Sequence, residues 1–316
     1  MEFLFKKTLE LTEKELYEIK CLFEKVFEKE RSLDYHMAQF INNPLGYSFH
    51  SIIKDKDKII GINTFVPSYF LLKDKKMLFV TSIDTMIEKK YRDFFSYYEM
   101  ITLAIKNLKK EGVKFSYGYP NEISYPIGIK AKLAKDIGKM NLYCLPIHIS
   151  GVKKCPKFLN FFSETISKLY VVLSGLFASS KEDQYLIKKD EESYNKTRYK
   201  RSDGKYGIKK IDDFILYYKV KEHDNIKTAF IIDITKKSPK SFNKSIKFLI
   251  REHRKEFDLI LYPGYLNFKN TSMFKLPHRF SPKNFYFTGT DISKDLPIEI
   301  WNIKNWDTNL SNYDLI

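Results

Sequence analysis

The order of secondary-structure patterns repeats between the two halves of this 316-residue chain. In the first half, "HSIIKDKDKIIGI" and "SYFLLKDKKMLFVTSIDTMI" predict strands joined by polar turns, "YYEMITLAIKNLKKEG" predicts an amphipathic helix, and "VKFSYGYP" predicts a strand. In the second half, "KYGIKKI", "DFILYYKVK" and "KTAFIIDIT" predict strands, "PKSFNKSIKFLIREHRKEF" a helix and "DLILYPG" a closing strand. The sequence therefore predicts two copies of one β-β-β-α-β unit.

An aspartate and a Tyr-Pro pair mark the same places in both copies. Asp84 precedes the Tyr-Pro pair that ends at Pro120, as Asp233 precedes the pair that ends at Pro263. The second interval is six residues shorter (120 − 84 = 36; 263 − 233 = 30), and we infer that this copy has lost part of the turn where a ligand would sit. We therefore expect the first copy to carry the site and the second to be degenerate.

These patterns predict an α/β fold of tandem lobes, each a mixed twisted sheet flanked by helices. We place the lobes at residues 1–150 and 191–316, with an apolar linker helix over 151–190. The first predicted helix begins at a capping box formed by Thr12 and Glu15 in "TEKELYEIKCLFEKVFEKE".

The linker contains the most apolar stretch of the chain, "FLNFFSETISKLYVVLSGLFASS". Glu164 and Lys168 interrupt it, so it lacks the roughly 18–20 uninterrupted apolar residues that a membrane-spanning helix needs. Two interpretations stay open: an amphipathic helix packed between the lobes, or a helix at 156–180 that contacts a membrane surface, helped by the lysines before it.

The net charge of +16 raises the question of a nucleic-acid partner. Only 7 of the 55 basic residues are arginine, which is the preferred residue for bidentate phosphate and base contacts, so we expect the lysines to form mostly a solvated surface. The three cysteines show no metal-ligand spacing, and the N-terminus lacks an apolar signal segment. We expect a cytoplasmic protein, or one peripheral to the inner face of the membrane, with no metal.

Five stretches, in this order, carry a family resemblance: "FINNPLGYS", "SIDTMIEKKYR", "YGYPNEISYPIGIKAKLAKDIG", "KLPHRFSPKNFYFTG" and "WDTNLSNYDLI". On these the chain resembles the GNAT superfamily of N-acetyltransferases, and more closely the tandem-GNAT proteins encoded in bacterial surface-polysaccharide clusters. The resemblance implies that acetyl-CoA binds in an opening between the fourth and fifth strands. By resemblance, Thr85, Met86 and Ile87 line that opening, and the amide of Asn121 contacts the pantetheine arm; capping of a helix is the alternative for Asn121.

The resemblance also implies that the CoA diphosphate rests on the loop that opens the next helix, with the pattern R-x-x-G-x-G. Arg92 takes the first position, while Phe95 and Tyr97 replace the two glycines and Asp93 adds a negative charge. Arg92 and Ser96 can compensate through side-chain contacts with phosphate. Phe95 either limits the approach of phosphate to the backbone or packs the helix against the core.

Four side chains are candidates for chemistry or acceptor binding. Asp84 lies within the apolar run "FVTSIDTMI", where a carboxylate must be paired or functional, so it is either a general base or amine anchor, or a hydrogen-bonded structural residue. Tyr125 carries a hydroxyl on the segment that follows Asn121, and the resemblance implies that the acid for the leaving thiolate lies on this helix. His36 and His50 precede the core strands and are candidates for contact with the acceptor.

The resemblance implies an N-acyltransferase that moves an acetyl group from acetyl-CoA to the amine of a small acceptor. That acceptor would be an amino sugar, free or nucleotide-linked, for a surface polysaccharide. Two alternatives stay open: a Fem-like transferase that uses aminoacyl-tRNA and needs no glycine-rich loop, and a non-catalytic GNAT-like binding protein. Nucleic acid is a partner only under the first alternative, and the oligomeric state stays open.

Overall fold

A computed structural model describes residues 1–200, 206–223 and 225–313. Residue contacts divide the chain into two compact units, each assembled from three separate segments. The first unit comprises Met1–Gly138, Leu186–Gly204 and Tyr286–Asn302, and the second comprises Lys139–Tyr185, Lys205–Phe285 and Ile303–Ile316. This division differs from the one predicted from sequence, because each half of the chain supplies a strand to the other unit's sheet.

The described residues form fourteen β-strands and eight α-helices. They are β1 (Glu2–Lys7), α1 (Glu13–Phe27), α2 (Leu33–Ile41), β2 (Phe49–Asp55), β3 (Lys58–Leu72), β4 (Lys75–Ile87), α3 (Phe94–Lys110), β5 (Phe115–Gly118), α4 (Ser124–Lys130), β6 (Lys135–Lys139), β7 (Asn141–Pro146), α5 (Ile149–Val152), α6 (Leu159–Leu176), β8 (Ile187–Lys189), α7 (Glu191–Arg198), β9 (Gly207–Ile211), β10 (Phe214–His223), β11 (Ile226–Ile234), α8 (Pro239–His253), β12 (Leu259–Gly264), β13 (Phe274–Leu276) and β14 (Tyr286–Asp291).

The first unit is built on an eight-stranded sheet in the order β1-β2-β3-β4-β5-β14-β6, with β8 paired to β3. β4 and β5 run parallel, whereas β1 to β4 are antiparallel neighbours, so the sheet is mixed. Successive side chains of a strand point to opposite faces. Ile53 of β2 accordingly lies in a cluster with Ala104 of α3, and the adjacent Ile52 lies in another with Leu22 of α1. Helices therefore flank both faces, as predicted.

The second unit is built on a six-stranded sheet in the order β13-β7-β12-β11-β10-β9. Here β11 and β12 run parallel and the other neighbours run antiparallel. The elements β9, β10, β11, α8 and β12 repeat the order of β2, β3, β4, α3 and β5, which confirms the predicted β-β-β-α-β repeat. The strand beside β12 is β7 from the first half, and the strand beside β5 is β14 from the second half.

Glu15 joins α1 to the edge of the first sheet. The predicted capping box is confirmed, since Thr12 and Glu15 exchange side-chain and backbone hydrogen bonds at the start of α1. The Glu15 carboxylate also accepts hydrogen bonds from Nζ of Lys6 and of Lys54, both at 2.7 Å. Burial alone would raise the pKa of Glu15, but the bonds from Lys54, Lys6 and the Thr12 N–H lower it to about 2.

Stability should therefore decline at acid pH through Glu15. A carboxyl whose folded pKa is depressed stabilises the fold above its unfolded pKa of 4.5, and this contribution is lost as the pH falls toward about 2. We expect the free energy of unfolding, measured in urea, to fall between about pH 5 and pH 3. The fall should be about 1–2 kcal/mol smaller in Glu15→Gln than in the wild type. Glu13→Gln, at an exposed position of the same helix, is the control. Equal losses in Glu15→Gln and the wild type would contradict this role.

Candidate active site

The strands β4 and β5 separate partway along the first sheet. Their pairing runs from Phe79↔Phe115 to Ser82↔Gly118, where β5 ends. β4 continues to Ile87, so its residues 83–87 extend beyond the end of β5. We call the space beside this stretch the β4–β5 opening. A strand edge of this kind offers backbone N–H and C=O groups to an extended, amide-containing ligand.

A β-bulge bends β4 at the start of the opening. Across the pair, Ile62 faces Met86 but Thr64 faces Ile83, so Asp84 and Thr85 together oppose a single residue of β3. That residue is Asn63, whose Oδ1 accepts hydrogen bonds from the hydroxyls of Ser82 at 3.1 Å and Thr85 at 3.0 Å. Asp84 has φ of +48°, a left-handed conformation that aspartate adopts more readily than most residues.

The Asp84 carboxylate lies in a cluster that sequence reasoning did not identify. Nη1 of Arg31 donates to Oδ2 of Asp84 at 2.7 Å and to Oε1 of Gln39 at 2.9 Å. The guanidinium lies 3.6 Å from the ring centre of Phe23, and the two charged side chains are only 12% and 13% exposed. The cluster thus holds a carboxylate in a fixed position at the bulge, with limited access to water.

The two candidate histidines are both buried and uncharged at neutral pH. His36 Nε2 lies 3.4 Å from Nη1 of Arg31, while its Nδ1 has no hydrogen-bond partner. Burial, and then the Arg31 charge, lowers the pKa of His36 to about 3. His50 lies between the hydroxyls of Thr8 and Thr64, and burial lowers its pKa to about 3 as well. His50 is fully enclosed, so only His36 joins the Arg31 cluster.

Asn121 and Tyr125 lie where the chain leaves β5 and enters α4. Oδ1 of Asn121 accepts hydrogen bonds from the N–H groups of Ile123 at 3.0 Å and Ser124 at 2.8 Å, which is the geometry of the capping alternative. The Tyr125 ring stacks on Tyr286 with centroids 4.0 Å apart. Burial, the Asp136 charge and a hydrogen bond to Asp136 raise the pKa of Tyr125, so its phenol keeps its proton at neutral pH.

The start of α3 carries its own cap. Asp93 accepts hydrogen bonds from the Ser96 N–H at 2.8 Å and the Ser96 hydroxyl at 2.7 Å, so the N–H that an incoming phosphate would use is already bonded. The Arg92 guanidinium donates to the carbonyl of Ile87, with its nearer nitrogen at 3.1 Å. Arg92 therefore links the end of β4 to the loop.

The bulky residues of this loop differ in where they lie. Tyr97 packs against the α3 core and is half-buried, so its side chain points into the fold. Phe95 is 60% exposed and contacts Phe3 edge to face. Of the two alternatives for Phe95, packing of α3 into the core does not hold, because the buried stripe of the helix runs through Ser96, Met100 and Ala104 instead.

The second unit has the same strand divergence, but residues of the chain itself fill it. β11 and β12 pair from Thr228↔Leu259 to Phe230↔Leu261 and then separate. Asn309 forms a bridge with Gly264 of β12, and its Nδ2 donates to Oδ1 of Asp233 in β11 at 2.8 Å. Residues 306–313 are all buried. This C-terminal segment closes the counterpart of the β4–β5 opening.

One known protein family matches a range of residues within the first unit. Residues 8–128 match the family model described as an acetyltransferase (GNAT) domain. The chain contains a GNAT acetyltransferase domain. The matched range ends within α4, so it includes β4, the Asp84 bulge, the α3 cap and β5. No curated protein matches the chain significantly.

Three solved structures share the fold over nearly the whole chain. A GCN5-related N-acetyltransferase from Anabaena variabilis is 12% identical, with TM-score 0.61 over 92% of this chain and 74% of its own. A conserved protein of unknown function from Enterococcus faecalis, described as a probable N-acyltransferase, is 13% identical (TM-score 0.57; 92% and 73% covered). A GCN5-related N-acetyltransferase from Kribbella flavida is 9% identical, with TM-score 0.56 over 91% of this chain and 71% of its own. At these identities the likeness is one of fold.

The assignment of individual residues to the site stays a prediction. The structure brings Asp84, Thr85, Met86 and Ile87 together at the β4–β5 opening, and adds Arg31 to them. Arg92 and Ser96 lie at the loop that follows β4, and Asn121 and Tyr125 at the loop that follows β5. Arg31 could have been identified by its residue type, since arginine is scarce in a chain rich in lysine.

Proposed function

We propose that the first unit transfers an acetyl group from acetyl-CoA to the amine of a small acceptor. The observation that carries the proposal is the β4–β5 opening, where β4 continues past the end of β5 from the Asp84 bulge. The pantetheine arm of CoA is extended and contains two amides, so it can pair with backbone groups of Thr85, Met86 and Ile87 as a short strand would. In the second unit, Asn309 of the C-terminal segment occupies the corresponding place.

We assign the two proton transfers of this reaction to Asp84 and Tyr125. As the amine attacks the thioester carbon, the C–N bond forms, the C–S bond breaks and the amine must lose a proton. The Asp84 carboxylate, held by Arg31 at 2.7 Å, can accept that proton directly or through a water molecule. The leaving thiolate needs a proton, and Tyr125 is a candidate donor because its phenol is protonated at neutral pH.

The acceptor we propose is an amino sugar, free or nucleotide-linked. Support comes from the resemblance to tandem-GNAT proteins of surface-polysaccharide clusters and from the net charge of +16, which suits an anionic acceptor. The test is an acetylation assay by mass spectrometry with free amino sugars, nucleotide-linked amino sugars, polyamines and amino acids. Selective acetylation of the amino sugars would support the proposal. Acetylation of another class alone would refute the acceptor, and transfer from aminoacyl-tRNA without acetyl-CoA would refute the donor.

We expect acetyl-CoA to bind loosely, with a dissociation constant on the order of tens to hundreds of micromolar. Arg92, Ser96 and the exposed Lys89 and Lys90 favour the diphosphate, whereas the Asp93 carboxylate repels it. Arg92→Ala should weaken binding. Asp93→Gly should tighten it about threefold to tenfold, because it removes the charge and frees the Ser96 N–H.

Calorimetry measures the binding of acetyl-CoA to the wild type, Arg92→Ala and Asp93→Gly. Asp74→Gly is the matched control, since it removes the same charge from an exposed turn at the far end of β4. A similar gain in affinity from Asp74→Gly and Asp93→Gly would indicate a general charge effect. No binding to the wild type at millimolar acetyl-CoA would overturn the donor assignment.

A further inference from the structure

The inward side of α6 carries serines together with Val171 and Tyr170. Three of its serine hydroxyls make the inward contacts: Ser163 donates to the carbonyl of Ile147 at 2.7 Å and Ser167 to that of Pro146 at 2.6 Å. Ser174 bonds to the hydroxyl of Ser272 at 2.7 Å. Val171 and Tyr170 of the same side pack against the core of the unit, and the remaining large apolar residues lie on the other side.

The outward side of α6 and its ends is an apolar stripe of nine large residues. Each is between 49% and 83% exposed: Phe158, Phe161, Phe162, Ile166, Leu169, Val172, Leu173, Leu176 and Phe177. Their spacing of three and four residues places them on one face of the helix. A surface helix normally turns such a stripe toward the core, whereas α6 leaves this one exposed. We call these nine residues the α6 face.

The charges around the α6 face are mainly positive. Lys153, Lys154 and Lys157 are exposed just before the helix; after it, the exposed Lys181 is followed by the exposed Glu182. Within the helix, Glu164 is neutralised by Lys168 at 2.5 Å and by Arg254 at 3.2 Å. An apolar stripe preceded by a basic cluster has the composition of a helix that lies in the interface of an anionic membrane.

We propose that the α6 face binds the surface of a bilayer that contains anionic lipids. A protein partner would be expected to supply hydrogen bonds across the contact. The one polar side chain within this stripe is Thr165, and its hydroxyl already donates to the carbonyl of Phe161 at 2.7 Å. A lipid surface requires no such bonds. Among the described residues, no helix has the length and apolarity needed to cross a bilayer, and α6 would lie parallel to the surface.

Vesicle co-sedimentation of the full chain tests the proposal. The probes are vesicles of phosphatidylcholine alone and of phosphatidylcholine with phosphatidylglycerol. We expect binding to the anionic vesicles, and a loss of about tenfold or more in partitioning for the double variant Phe161→Glu, Leu169→Glu. The control is Ile208→Glu, Ile298→Glu, which places the same charges at similarly exposed positions outside the α6 face and should leave partitioning unchanged. Circular dichroism and thermal unfolding check that each variant folds.

Three results would overturn the proposal. The first is a wild type that stays in the supernatant with both vesicles, and the second is a wild type that binds neutral and anionic vesicles equally. The third is an equal loss of binding in both double variants. Sedimentation velocity without lipid separates a further case: a wild-type dimer that Phe161→Glu, Leu169→Glu dissociates, together with no vesicle binding, would show that a second copy covers the α6 face.

Discussion

Replacing Asp84 by asparagine should lower kcat for acetyl transfer by about 10²–10⁴-fold, the range expected for loss of a general base. Asparagine is close in shape and tolerates the φ of +48° at this position, so the bulge should persist. What is lost is the negative charge paired with Arg31 and the capacity to accept a proton. Binding of acetyl-CoA should stay within about twofold, because the backbone edge of β4 is unchanged.

Steady-state kinetics and calorimetry together test this expectation. Asp74→Asn is the matched control, since Asp74 also has a positive φ, of 64°, but lies in the exposed β3–β4 turn. Unchanged turnover in Asp84→Asn would assign Asp84 to the structural alternative, in which it only pairs with Arg31. Loss of acetyl-CoA binding along with turnover would show instead that the variant disturbs the bulge.

Replacing Lys237 by methionine should destabilise the second unit by about 3–5 kcal/mol, the cost of leaving a buried charge without its partner. Nζ of Lys237 lies 2.8 Å from Asp233 and 2.9 Å from Asp307, and the three side chains are at most 10% exposed. Burial alone would lower the pKa of Lys237, but the charges of Asp233 and Asp307 raise it well above its ordinary value. Methionine would leave two buried carboxylates facing each other.

The neighbouring lysine provides the control. Lys236 pairs with Asp213 at 2.8 Å, but both side chains are well exposed, so Lys236→Met should cost about 0–1 kcal/mol. Urea unfolding followed by the fluorescence of Trp306, which is buried in the second unit, measures both variants. Equal costs for the two variants would show that the Lys237 cluster does not stabilise this unit, and that other contacts hold the C-terminal segment between β11 and β12.

Local patterns in the sequence were sufficient for most elements of the fold. The capping box at Thr12 fixes the start of α1, and polar turns between apolar runs fix the hairpins. The exchange of β7 and β14 between the halves could not be predicted, because nothing local distinguishes a strand that pairs within its own half from one that does not. Which strand becomes the neighbour of β5 or β12 is decided by tertiary packing.

The candidate site was predictable in part. The sequence indicated Asp84, because a carboxylate in an apolar strand requires a partner. That partner, Arg31, is 53 residues away in sequence and precedes α2, so the sequence did not indicate it. Asn309 closes the counterpart of the β4–β5 opening in the second unit through a similar long-range contact. The direction of side chains could not be predicted either. Tyr97 points into the core and Phe95 to the surface, although both replace glycines of the family pattern.

Hydrogen–deuterium exchange with and without saturating acetyl-CoA tests most directly whether the first unit is the one that binds the donor. We predict protection at residues 83–87 of β4 and at 92–97 at the start of α3. Residues 231–237 of the second unit should exchange equally in both states, because the C-terminal segment already fills that opening. No added protection in the first unit, or protection at 231–237 instead, would contradict the account.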